Sequence, residues 1–227
     1  MGVNRTLLIG QSIGFFILFA LCLFVPAGTW NWVAGWVFLV LFFGFYVGVT
    51  AWLYRHNPSL VQERTRLGGS NQKGWDKILF TAILVLTFAW LVVMALDAVR
   101  FQWSHVSVAL QIIGGVILLF SFYLLFLTFR ENSYLSPVVR VQSDRGHSVV
   151  STGPYHFVRH PMYAAILVFV IGTALLLGSW VGVVFGLFLM LLLARRAMLE
   201  ESTLQQELDG YRAYMTSVKY RIIPYLW

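Results

Sequence analysis

From Met162 to Ala194 the chain runs for thirty-three residues without one charged side chain. As a single helix, at about 1.5 Å per residue, that run would be about 50 Å long, whereas a bilayer core takes roughly 20 residues. Its middle reads Leu177-Gly178-Ser179-Trp180, which has the character of a turn. The run is therefore expected to fold back as a hairpin of two shorter helices with both outer ends on one side.

Four further apolar runs, near Leu7–Val25, Trp32–Tyr54, Ile78–Leu96 and Val106–Leu127, are each long enough for one crossing. The first lacks a small-residue cleavage pattern, and Pro26-Ala27-Gly28-Thr29-Trp30 leads directly into the second, as a tight connection between retained spans would. With 59% hydrophobic and only 11% charged residues, the chain carries too little charge for a soluble domain of this length. The expected fold is all-α: a polytopic membrane bundle of four single spans plus a C-terminal helical hairpin.

The sixteen Lys and Arg residues are sorted by side. Arg5 precedes the first span, five basic residues lie between the second and third, four follow the fourth and five follow the hairpin. Only Arg100 falls on the other side, so fifteen share a face if the spans alternate and the hairpin doubles back. The positive-inside rule makes that face cytoplasmic, with both termini on it. The net charge of +7 thus reflects orientation, and nucleic acid is not the expected partner. Cys22 is the only cysteine, which excludes disulfides within the chain and cysteine-based metal sites. There is no Gly-x-Gly-x-x-Gly loop of the dinucleotide-binding kind.

Three polar regions lie on the basic side. Arg55–Lys77 mixes charges with Leu60, Val61, Leu67 and Trp75 and reads as an interfacial segment against lipid headgroups, or as part of a gate for a lipid substrate. Arg130–Pro161 carries turn signals at Asp144-Arg145-Gly146, with short extended pieces either side, and at Gly153-Pro154. His160 precedes a proline and disfavours helical dihedrals, while Pro161 suits a first helical position, so the hairpin should begin there. Its unpaired N–H groups then form a cradle for an anionic group. In the third region Arg196 and Glu200 are four apart on one helical face, the spacing of an ordinary stabilising surface pair. Tyr211, Tyr214 and Val218 continue a helical spacing. His56 and His105 read as hydrogen-bonded caps, and Asp97 with Arg100 as a boundary pair on the outer side. The hairpin brings its two ends together, so His147, Tyr155, His160, Tyr163, Arg196 and Glu200 can converge. Ionisable groups that face a bundle interior at membrane depth are candidates for function.

"GHSVVSTGPYHFVRHPMYAA", the hairpin-length run after it and then "RRAMLEESTLQQELDGYRAYMTSVKYRIIP" resemble the isoprenylcysteine carboxyl methyltransferase-like family. These are integral membrane enzymes that use S-adenosylmethionine and are related to phospholipid methyltransferases. The resemblance runs from about Glu131 to the C-terminus; the N-terminal half matches mainly in topology, and "NPSLVQER…KGWDK" looks like a bacterial branch, which implies the inner membrane. It divides the chain into N-terminal spans, 1–129, and a catalytic region, 130–227.

By position, the resemblance implies that His147, Ser148, Val149, Val150 and Tyr155 line the cofactor site, with His160, Pro161, Met162 and Tyr163 as a His-Pro-x-Tyr element. Gln142 would match a glutamine upstream of the family's His at a different spacing. Glu200 would bind the cofactor, and Arg196 would face the methyl acceptor and its carboxylate. The acceptor would be lipophilic and enter from the bilayer, and no metal is required. The family often reads Phe-Gly before its C-terminal Tyr-x-x-Tyr; here Glu207-Leu208-Asp209-Gly210 stands there, one residue shorter from the Glu-Glu pair, so the acceptor pocket is where divergence is expected. Prenylated cysteine, phospholipid amine, isoprenoid acid and small thiol all stay open as acceptors. His-Pro-x-Tyr also occurs in membrane sterol reductases, so an NADPH-dependent reductase of lipid double bonds is an alternative, and a non-catalytic membrane protein is another.

Overall fold

A computed structural model describes residues 5–65 and 72–227. Every regular element among them is helical. Helix α1, Arg5–Ala27, ends at Gly28, whose φ of +71° is left-handed and favours glycine. Helix α2 spans Val33–His56. Asn57 closes it, and the Asn57 Oδ1 accepts the Leu60 N–H at 3.2 Å, starting the short helix α3, Pro58–Thr65, with proline at its first position. Within the Arg55–Lys77 connection this helix carries Leu60 and Val61, and Trp75 lies in the first turn of the next long helix; Leu67, also named in that reading, lies outside the described residues. Helix α4, Gly74–Ala95, continues into a π-helical turn, Leu96–Arg100. Helix α5 spans Val108–Glu131 and is capped by the Ser107 hydroxyl.

The long apolar run is a hairpin. Helix α6, Pro161–Leu177, stops at Gly178 (φ +85°), and Ser179 caps helix α7, Trp180–Glu207, through the Gly182 N–H at 2.7 Å. Helix α6 is about 25 Å long and α7 about 42 Å, so the C-terminal turns of α7 project past the start of α6. Helix α8, Tyr211–Ser217, follows and buries Tyr211 and Tyr214. The expected extended pieces beside Asp144-Arg145-Gly146 form no ladder; that segment holds a 3₁₀ turn, Ser143–Arg145, closed by left-handed Gly146.

Five helices, α1, α2, α4 with its π turn, α5 and α7, are long and apolar enough to cross a membrane, and α6 is a shorter apolar helix. Large apolar side chains such as Val40, Ile78 and Leu191 are 66–74% exposed. That surface is unsuited to water and suited to lipid. Inside, a phenylalanine-rich core joins Phe19, Phe38, Phe43 and Phe122 to Trp90, whose indole N–H donates to Gly182 O at 2.7 Å. Helices α5 and α6 cross closest: a Cβ on Gly114 would meet Leu176 N at 2.5 Å, and one on Gly172 would meet Leu118 N at 2.6 Å. Small residues let helix backbones approach this closely where lipid supplies no hydrophobic drive.

At the end away from the basic residues, Asp97 does not pair with Arg100. Its Oδ2 accepts from the Ser104 hydroxyl at 2.6 Å, from the Ser179 hydroxyl and from Val181 N–H at 3.4 Å, tying the hairpin turn to the π turn of α4. Arg100 lies against Gly28 instead.

Candidate functional site

At the other end, the chain leaving α5 is held on three sides before it reaches α6. Asn132 donates through Nδ2 to the Tyr155 hydroxyl at 2.8 Å and accepts Tyr134 N–H at 2.8 Å. Helix α3 braces the next stretch: Arg64 donates to Leu135 O at 2.8 Å, and Glu63 takes two 2.9 Å hydrogen bonds from Arg140. Arg140 also pairs with Asp144 at 3.0 Å. The Arg140 guanidinium lowers the pKa values of both carboxyls, Glu63 and Asp144. Arg145 reaches Gln142, the Ser59 hydroxyl and Ser133 O. His147 lies against the Tyr134 ring at 4.5 Å and accepts the Gln142 N–H on Nδ1 at 3.3 Å. Burial, with Arg145 and Arg140 nearby, lowers its pKa to about 4, so the imidazole is neutral at physiological pH.

The facing wall is built on Glu201. This carboxylate, 1% exposed, takes Arg159 Nε at 2.6 Å and Arg221 Nε at 2.7 Å. His160 Nε2 stands 3.3 Å from the same carboxylate but is not aligned for a hydrogen bond. Arg159 also donates to Val218 O and Lys219 O, fastening the C-terminal segment under the start of α6. The rings of His160 and Tyr163 stack at 5.4 Å and 8°. The Tyr163 hydroxyl donates to Glu200 Oε2 at 2.9 Å and accepts from Arg196 Nη1 at 3.2 Å. Arg196 gives its Nε–H to Asp76 Oδ1 at 2.8 Å and an Nη2–H to Pro137 O at 2.7 Å.

Between these walls is a solvent-open cavity of about 840 Å³, counting the open solvent at its mouth, lined entirely from residue 132 onward. His147, Ser148, Val149, Val150, Tyr155, His160, Pro161, Met162, Tyr163, Arg196 and Glu200 all line it. Gln142 does not. It is 1% exposed and donates to Tyr134 O at 2.7 Å, so it supports the wall from behind. Two other expectations change. Arg196 and Glu200 are not an i,i+4 ion pair; Tyr163 stands between them and Asp76 is the ionic partner of Arg196. The N–H cradle at the start of α6 narrows to Met162, because Pro161 has no N–H and those of Tyr163 and Ala164 turn back to His160 O.

Sequence reasoning missed Asp76, Asn132, Tyr134, Arg140, Arg159 and Glu201 as parts of the site. Asp76 and Glu201 carried the one usable signal, a carboxylate beside a membrane span, since such groups are buried only when paired. Tyr211 and Tyr214 close the far side, and the Tyr214 hydroxyl donates to Tyr155 O at 2.7 Å. Burial raises the pKa values of Tyr155, Tyr211 and Tyr214, so all three phenols stay protonated.

The ionic partners of the cavity's charged side chains leave one carboxylate over. Arg159 and Arg221 share the buried Glu201 carboxylate, Arg196 pairs with the buried Asp76, and Arg140 pairs with Glu63 and Asp144. Glu200 bonds to a phenol and makes no ion pair among the described residues. One negative charge is therefore open to an ammonium, beside aromatic faces that attract a cation.

The sequence model of the Isoprenylcysteine carboxyl methyltransferase (ICMT) family matches residues 115–206. The Protein-S-isoprenylcysteine O-methyltransferase of Schizosaccharomyces pombe is 33% identical over 85 residues, which are 37% of this chain and 36% of that protein. The match thus spans about a third of that relative. The solved structure of the eukaryotic intramembrane Ras methyltransferase ICMT is 17% identical, with 99% of this chain and 88% of that one aligned at a TM-score of 0.49. The segments His147–Tyr163 and Arg196–Glu200 lie within the matched region, and over residues 115–206 the chain is similar to the isoprenylcysteine carboxyl methyltransferase family.

Proposed function

We propose that the protein is an integral membrane methyltransferase that uses S-adenosylmethionine to methylate a lipophilic acceptor, with a prenylated cysteine carboxylate as the first acceptor to test. The observation that carries this reading is the convergence of two segments some forty residues apart, His147–Tyr163 and Arg196–Glu200, on one cavity inside the family-matched region. When bound, S-adenosylmethionine would supply a methyl carbon on a positive sulfonium, open to in-line attack by an acceptor carboxylate oxygen as the carbon–sulfur bond breaks and the sulfur leaves as a neutral thioether. In that reading residues 1–129 are the membrane scaffold and 130–227 the catalytic region.

The chain's own part is to bind, orient and exclude water. Glu200 holds the cofactor's ammonium, fixed in rotamer by the Tyr163 hydroxyl. The His160 and Tyr163 rings, stacked in parallel, present faces to the sulfonium. Arg196 meets the acceptor with the two N–H bonds that its three partners leave over. A bidentate grip through its Nε edge is closed by Asp76, so a carboxylate is met by the Nη hydrogens. Neutral His147 adds no positive charge to a site that receives a cation. The acceptor's chain arrives from the bilayer and the cofactor from the aqueous side, which we take to be the cytoplasm.

Calorimetry in detergent tests this directly. Wild-type protein is expected to bind S-adenosylmethionine, and Glu200→Ala or His160→Ala to lower that affinity at least tenfold while the thermal transition is retained. Unchanged binding in both variants, or a thermal shift with NADPH in place of S-adenosylmethionine, would overturn the assignment.

A further inference from the structure

We infer that Asp76, on a helix outside the family-matched region, is a positioning residue for the acceptor side of the site. This rests on the methyltransferase reading above. Asp76 is fully buried in the first turn of α4. A buried carboxylate survives only when it is paired and its lone pairs are used, and here both oxygens are engaged. Oδ1 takes Arg196 Nε–H at 2.8 Å; Oδ2 takes Val139 N–H at 2.8 Å and Gln72 Nε2–H at 2.9 Å. One carboxylate thus fixes a guanidinium on α7 and the backbone of the facing cavity wall.

The same helix holds the guanidinium in a second way. Phe80 is four residues after Asp76, so it lies on the same face one turn on, and Arg196 stands over its ring with Cζ 5.8 Å from the centroid. Carboxylate at the edge and ring against the face set the plane of the guanidinium, with Tyr163 and Pro137 O taking one N–H each. Among the described residues, the hydrogen-bonded link between Glu200 and this arrangement is the Tyr163 hydroxyl. Loss of Asp76 should therefore disturb the acceptor side more than the cofactor side. Asparagine cannot replace it: its amide would set N–H against either the Arg196 or the Val139 donor.

A double-mutant cycle of Asp76→Asn and Arg196→Gln, in the full chain in detergent, tests the assignment by three measurements. Methyl transfer to N-acetyl-S-farnesylcysteine should fall 10- to 100-fold in kcat/KM in Asp76→Asn, as expected when a positioned group is displaced. The calorimetric Kd for S-adenosylmethionine should change less than about threefold. In ligand-free protein, hydrogen exchange in the peptide containing Val139 should speed up in Asp76→Asn, and the double variant should be no worse than the worse single one in activity. Phe80→Leu, a milder change, should shift kcat/KM in the same direction by about three- to tenfold. Additive losses, equal loss of cofactor and acceptor binding, or an unchanged exchange rate at Val139 would overturn the role of Asp76. Absence of S-adenosylmethionine binding in the wild type would instead overturn the methyltransferase reading, and the exchange measurement would still decide whether Asp76 holds the wall.

Discussion

The His147 imidazole is packed between Tyr134 and two arginines, and its neutral form is the one that accepts the Gln142 N–H. Its pKa is lowered to about 4 in the folded protein, against about 6.5 in an unfolded chain. The unfolded state then binds the extra proton first, so the contribution of His147 to stability is fully present above pH 6.5. It is lost as the pH falls from there through about 4. Glu63 and Asp144 have lowered pKa values and act only at more acid pH, which keeps the windows apart. The difference in melting temperature between wild type and His147→Asn, followed in detergent from pH 8 to 4.5, should be flat above 6.5 and shrink below it. A constant difference would mean that the imidazole is not held neutral by its surroundings. At this scale the meeting of Arg196, Glu200 and the His-Pro-x-Tyr residues at one cavity was legible from the fold-back of the hairpin and its boundary proline. The four-residue spacing of Arg196 and Glu200 pointed instead to a surface pair that Tyr163 in fact separates. Asp76 was not legible: a lone acid between Trp75 and Lys77 looks like a headgroup contact, and only the fold brings α7 to it.

Helix ends divide in the same way. The five apolar runs and the fold-back at Gly178-Ser179 follow from length and from one glycine, and each lies where a residue count puts it. Helix α3 was missed because eight residues of mixed polarity carry no periodic signal, although Asn57-Pro58 is a good start. Asp97 was misassigned because the nearest basic residue in sequence was Arg100, whereas the hairpin turn delivers Ser179 and the Val181 N–H to it. This carboxylate fastens the hairpin at the end away from the cavity. Asp97→Ala leaves those donors and the Ser104 hydroxyl without their acceptor and should cost about 2–4 kcal/mol, read as a lower melting temperature in detergent. Because α6 separates Asp97 from the cavity by about 25 Å, affinity for S-adenosylmethionine should stay within about twofold. A stable Asp97→Ala protein with weakened cofactor binding would contradict this separation.

Across the described residues, the cavity and fourteen of the fifteen described Lys and Arg residues fall at one end of the spans. Arg5, α3, the loop after α5 and the projecting end of α7 all lie there, while Arg100 and Asp97 mark the other end. Charge bias sets the orientation of a polytopic chain through the basic residues near its span ends, and an inverted chain would have to translocate nearly all of them. The orientation is testable because Cys22 is the only native cysteine. In a Cys22→Ala background, His105→Cys reports the outer end and Lys219→Cys the cavity end, both at exposed positions. In intact bacterial spheroplasts a membrane-impermeant maleimide should label the first and spare the second, and permeabilisation should expose both. Labelling of Lys219→Cys alone in intact cells would put the cavity outside, away from the cytoplasmic supply of a charged cofactor. That result would end the reading in which lipid and water deliver the two substrates from different directions.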